Sequence, residues 1–70
     1  MDYHSIIATR RKKIGISQDE LADVCNISCS YLKLIEQGKA NPTIEILWKI
    51  LDALGFELKV YDKFTQKKVL

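Results

Sequence analysis

Apolar residues recur at helical spacing along most of the chain and switch to alternate positions near its end. Tyr3, Ile6, Ile7 and Ile14 predict a first helix over about residues 3–14, stopped by Gly15. Ser17-Gln18-Asp19-Glu20 then has the form of a capping box. In it the Ser hydroxyl takes an orphan N–H three residues on, and Glu20 reaches back to the backbone. Asp19 and Glu20 also suit the positive end of a helix dipole. A second helix is expected over about 18–25, with Leu21, Val24 and Cys25 inward. Asn26 follows at a tight turn, where a positive φ is tolerated best by Gly and next by Asn. Ile27 is placed to tuck behind that turn.

Ser28 is a second N-cap, and a third helix is expected over about 29–37 with Leu32 and Ile35 inward and Gly38 as its stop. "GKANPT" is a loop in which Pro42 forbids continuation and Thr43 caps a fourth helix. Ile44, Leu47, Ile50, Leu51 and Leu54 give that helix a wide apolar face, with Ile46 and Trp48 on opposite flanks. A helix apolar over so wide an arc has more than one surface to bury. After Gly55 the period becomes two. Phe56, Leu58 and Val60 alternate with Glu57, Lys59 and Tyr61, which predicts a strand. Either "KKVL" returns beside it as a hairpin across an Asp62–Gln66 turn, or the strand pairs with another chain.

Two short helices joined by a turn of three to four residues form a helix-turn-helix, in which the second helix enters the DNA major groove with its N-terminal residues on base edges. The third helix suits that task, because Cys29, Ser30, Tyr31 and Lys33 offer polar contacts and no acidic residue stands at its start.

The stretch "RRKKIGISQDELADVCNISCSYLKLIEQGKANPTIEILWKILDALG" resembles the Cro/phage-repressor (XRE-type) helix-turn-helix family. The motifs are Ser-Gln before the second helix, Glu-Leu-Ala at 20–22, Ile-Glu-x-Gly at 35–38, Asn-Pro-Thr at 41–43 and Ala-Leu-Gly at 53–55. Each is weak alone; the combination is specific. The resemblance implies a mainly α, four-helix, lambda-repressor-like DNA-binding domain over residues 1–55. Residues 56–70 are expected to form a C-terminal strand or hairpin tail that serves as a dimerisation segment. The resemblance further implies a phosphate contact from Gln18 and reading positions at Ser28, Cys29, Ser30 and Lys33. Lys39 and Asn41 match backbone-contacting positions in the next loop. Arg11 and Glu36 match a pair that ties the first helix to the third. Two positions depart from the pattern. Asn26 stands where many relatives have Gly, and Cys29 stands where Arg or Gln often read guanine or adenine. A thiol reads poorly, so specificity is expected from Ser30, Tyr31 and Lys33, or from DNA shape.

The tail "FELKVYD" is similar to that of HipB-like antitoxins, whose strand pairs with its twofold mate and which bind a toxin, often kinase-like. A homodimer joined through Phe56, Leu58 and Val60 is expected, because a lone strand edge favours pairing with another copy, with Trp48 or Ile46 of the wide face as a second means. The alternative function is an interaction module that neutralises a toxin without significant DNA binding.

Composition changes this picture little. At 70 residues the chain is one small domain at most, which buries only about 60% of its unfolded surface, so association is a common remedy. The net charge of +2 implies no nucleic-acid partner by itself; the run Arg10-Arg11-Lys12-Lys13 is more telling, and given a DNA-binding fold some of Arg10, Lys12 and Lys13 are expected to face phosphates. Cys25 and Cys29, with His4 remote, cannot supply four zinc ligands, so no metal and no cofactor are expected. Cys25 is expected in the core and Cys29 at the surface. No nucleophile–base pair, acid dyad or phosphate-cradling glycine loop points to an enzyme. No apolar run approaches a membrane span and the first residues lack the order of a secretory signal, so a cytoplasmic location is expected.

Overall fold

The computed structural model describes residues 2–69, and four helices carry the fold: α1 (Tyr3–Ile14), α2 (Gln18–Val24), α3 (Cys29–Glu36) and α4 (Ile44–Ala53). Each boundary has a local chemical cause. Ser17 Oγ accepts from the Glu20 N–H at 3.0 Å, and Glu20 Oε1 accepts from the Ser17 N–H at 3.1 Å, so the capping box is complete. Ser28 Oγ accepts from the Tyr31 N–H at 3.1 Å, and Thr43 Oγ1 from the Ile46 N–H at 3.2 Å. Asn26 takes the turn between α2 and α3 at φ 56°, and the Ile27 N–H closes it onto the Ala22 carbonyl at 3.0 Å. Gly38 answers two demands. Its φ is 75°, and a Cβ there would stand 3.1 Å from the His4 ring, so any side chain would require that ring to shift.

Ile7, Leu21, Ala22, Cys25, Leu32, Ile35, Ile50, Leu51 and Leu54 form one core shared by all four helices. Cys25 is buried there and Cys29 is half-buried, both as free thiols. Two expected core residues lie outside. Val24 is 70% exposed. At about 100° per residue, Leu21, Ala22 and Cys25 span an arc whose centre lies roughly 105° from Val24, so the face turns away from it. Ile44 is 74% exposed, because it stands in the first turn of α4, one turn beyond Leu47 and past the end of the core.

Beyond Gly55 the alternation in burial holds through Lys59 and fails at Val60, which was expected inward but is 43% exposed. Phe56 and Leu58 pack on the core while Glu57, Lys59 and Val60 are exposed. The expected strand over 56–61 does not form among the described residues. Only an isolated antiparallel bridge joins Tyr61 to Lys68. It is flanked by hydrogen bonds from the Val69 N–H to the Val60 carbonyl at 2.7 Å and from the Asp62 N–H to the Lys67 carbonyl at 2.9 Å. The chain thus returns over the Asp62–Gln66 turn, held by Asp62 Oδ1 accepting from the N–H groups of Phe64 at 2.8 Å and Thr65 at 3.1 Å, with Gln66 at φ 58°. Leu70, the last residue of "KKVL", lies outside the described residues. The extended segment 57–59 has no neighbouring strand in its own chain among the described residues, and a strand exists only by pairing.

Candidate nucleic-acid interface

α3 is carried on α2 by the capped turn at 25–28, and its outward side presents Ser28, Ser30 and Lys33, all exposed. Tyr31 is half-buried and packs against the core, which leaves only part of its side chain outward. Lys39 and Asn41 are exposed in the loop that follows α3. Asn41 is held from the other end of the chain: the Tyr3 hydroxyl donates to its Oδ1 at 3.2 Å. That bond engages the acceptor of the amide and leaves its nitrogen as a donor.

Arg11 and Glu36 form the expected pair. Arg11 Nε donates to Glu36 Oε2 at 2.8 Å and Nη2 to Oε1 at 3.0 Å, while Nη1 reaches the Ile16 carbonyl at 3.1 Å. The two side chains are 10% and 6% exposed, so the bidentate pair lies inside the domain. Burial pushes the Glu36 carboxyl up, but hydrogen bonds from Arg11 and Gln18 and the charges of Arg11 and Lys12 outweigh it and hold it below the usual range. The bond to Glu36 in turn raises Arg11 against the opposing effect of burial. Gln18 is half-buried, and its Nε2 donates to Glu36 Oε1 at 3.0 Å.

Three features escape the sequence pattern. Asp19, expected only at the dipole of α2, lies against Cys29. Its hydrogen bond, with burial and its own charge, pushes the thiol above its ordinary pKa; Lys33 opposes this and Glu36 adds to it. The start of α3 therefore has an acidic neighbour after all, brought by α2. Arg10 is the second. Its Nε donates to the Leu54 carbonyl at 3.0 Å and its guanidinium lies 5.0 Å from the centre of the Phe56 ring. It secures the end of α4 and the start of the tail rather than facing outward. Of the run 10–13, only Lys12 and Lys13 are exposed. The third is Tyr3, whose partner Asn41 lies 38 residues away and leaves no local signal.

The residues expected at a dimer contact divide differently. Phe56 is half-buried beneath Arg10. Ile44, Leu47, Trp48, Leu58, Lys59 and Val60 surround an apolar groove of about 210 Å³, while Ile46 packs on the core. Among the described residues no group of three or more His, Cys, Asp or Glu side chains is placed to hold a metal ion, and no helix is long and apolar enough to cross a membrane.

Comparison with known proteins agrees with this arrangement. An uncharacterized HTH-type transcriptional regulator of Haemophilus influenzae is 35% identical over 54 residues, covering 77% of this chain and 55% of that protein. The cryptic phage CTXphi transcriptional repressor RstR of Vibrio cholerae is 44% identical over 52 residues, covering 74% of this chain and 46% of the repressor. The chain thus spans about half the length of these relatives. Among solved structures, the clp gene regulator ClgR of Corynebacterium glutamicum superposes with a TM-score of 0.75 at 28% identity, over 77% of this chain and 57% of that one. Residues 7–60 match the Helix-turn-helix family, and the chain belongs to that family in its XRE-type form.

Proposed function

We propose that this chain is a sequence-specific double-stranded DNA-binding transcriptional regulator, a repressor that binds a palindromic operator as a homodimer in the cytoplasm. The observation that carries the reading is the outward side of α3, where Ser30 and Lys33 stand exposed on a helix capped by Ser28 and braced by α2. Such a side fits a major groove, where hydroxyl and ammonium groups meet base edges. Ser28, Lys39 and Asn41 flank it with donors suited to phosphate oxygens, which fix register without reading sequence. The repressor name of the Vibrio cholerae relative supports the direction of regulation.

One α3 contacts too few base pairs to find a single genomic site, so a twofold dimer is proposed, with half-sites about 34 Å apart. The surface for it is the apolar patch of Ile44, Trp48, Leu58 and Val60, beside the backbone of 57–59, which has no neighbouring strand among the described residues. Phe56 supports the segment from beneath. The alternative, an interaction module that neutralises a kinase-like toxin, would draw on the exposed tail side chains Tyr61, Phe64 and Val69 and would leave the polar side of α3 without a task. That side is why DNA is favoured. The test is selection of duplexes from a random library by the purified chain. A recovered palindrome with half-sites one helical turn apart supports the reading. Recovery of sequences no different from the starting library overturns it.

A further inference from the structure

Glu36 Oε1 accepts twice, from Arg11 Nη2 at 3.0 Å and from Gln18 Nε2 at 3.0 Å. The ion pair joins α1 to α3 without help from Gln18. The second bond adds the first residue of α2, placed directly after the Ser17 cap. A glutamine amide exchanges its donor and acceptor ends by a half-turn about its last torsion. An ionised carboxylate only accepts, so it admits only the orientation with the nitrogen toward it. That nitrogen carries a second N–H in the amide plane, and a phosphate oxygen is likewise only an acceptor.

We infer that Glu36 is a positioning residue for DNA binding: its carboxylate, anchored by Arg11, fixes the Gln18 amide so that the remaining N–H is held ready for one phosphate oxygen. The inference rests on the reading of this chain as a DNA binder with Gln18 at the backbone. Three elements meet at the carboxylate, the base of α2, the end of α3 and the last turn of α1. The phosphate contact is thereby set in register with the helix that reads bases. The buried Arg11 charge keeps Glu36 ionised and therefore acceptor-only. Without the carboxylate, Gln18 would sample both amide orientations and several rotamers, and the contact would lose its preset geometry.

The experiment uses the full chain and a duplex recovered by the selection above, prepared as a series in which one phosphate at a time is a neutral methylphosphonate. In the unmodified protein, several linkages per half-site should weaken binding, the one facing Gln18 by about tenfold or more, the scale of a hydrogen bond to a charged group. Gln18→Ala should abolish that sensitivity and leave every other linkage unchanged. Glu36→Gln, with helicity retained, should abolish it at the same linkage although Gln18 is still present. Because that change strands the Arg11 charge, the apolar pair Arg11→Met/Glu36→Leu is run beside it; replacing a buried ion pair by packed apolar residues preserves folding in comparable cases. A folded variant of either kind that keeps the sensitive linkage overturns the positioning role while leaving the DNA reading intact. If Gln18→Ala itself changes no linkage, Gln18 is not at the backbone, and the inference falls with that part of the reading.

Discussion

At the scale of single residues, the Arg11–Glu36 pair has the largest energetic leverage. Both side chains are about nine-tenths buried, and removing one partner leaves the other charge without compensation. Glu36→Ala should therefore cost about 3–5 kcal/mol. A small domain has only about 5–15 kcal/mol in total, so the variant should melt far lower or not fold. An unchanged melting temperature would place the pair outside the core. The same residue gives a pH dependence with a definite sign. Its folded pKa lies below that of an unfolded glutamate, about 4.3, so its contribution is fully present above that value. It is lost as pH falls through the lower, folded value. Asp62, held down by the Phe64 and Thr65 N–H groups, works in the same direction, so the Glu36 share is read as the difference between wild type and Glu36→Gln across that window. On the reading side, Lys33→Ala should cost about 1–3 kcal/mol and relax preference at one operator position if the ammonium meets a base. A uniform loss on every duplex would assign it to phosphate instead. Binding assays on the selected site and its single-base variants separate the two.

At the scale of elements, most of the chain was legible because its helix ends are set by local chemistry. Ser17 with Glu20, Ser28, Thr43, Asn26 and the three glycines act within a few residues of themselves, so a sequence displays them as they work in the fold. Ser28→Ala should lose one such cap and about 1 kcal/mol of stability, readable as a lower midpoint in urea with an unchanged slope. What was not legible depends on where helices meet. Val24 follows helical spacing from Leu21 but falls outside the arc that α2 turns inward. Asp19 reads as a dipole partner until α2 brings it against Cys29. Arg10 and Arg11 are adjacent in a basic run, yet one holds the end of α4 and the other the end of α3. The alternation at 56–61 forecast Phe56 and Leu58 on the core but not the exposure of Val60; a strand also needs a neighbour, and among the described residues one appears only at Tyr61.

At the scale of the whole molecule, the fold measures 40 × 23 × 20 Å. A lone hairpin is marginally stable in water, and this one leaves Tyr61, Phe64 and Val69 more than half exposed. Pairing with a second copy would cover the segment before it. Leu58→Pro removes a backbone donor and an apolar contact together, so sedimentation should show monomer and duplex binding should weaken sharply. If the variant stays dimeric with operator affinity intact, the joint lies elsewhere, and the Trp48 side of α4 is the better candidate. The central claim is that α3 reads DNA, and the most direct measurement is duplex affinity across a salt series, for the selected operator and a scrambled duplex of equal length. The account predicts that log affinity falls steeply and linearly with log salt on both duplexes, as phosphate contacts require. It predicts about a thousandfold or greater preference for the operator, removed largely by Ser30→Ala/Lys33→Ala. Undetectable binding to either duplex at low salt, or equal affinity for both, would contradict it.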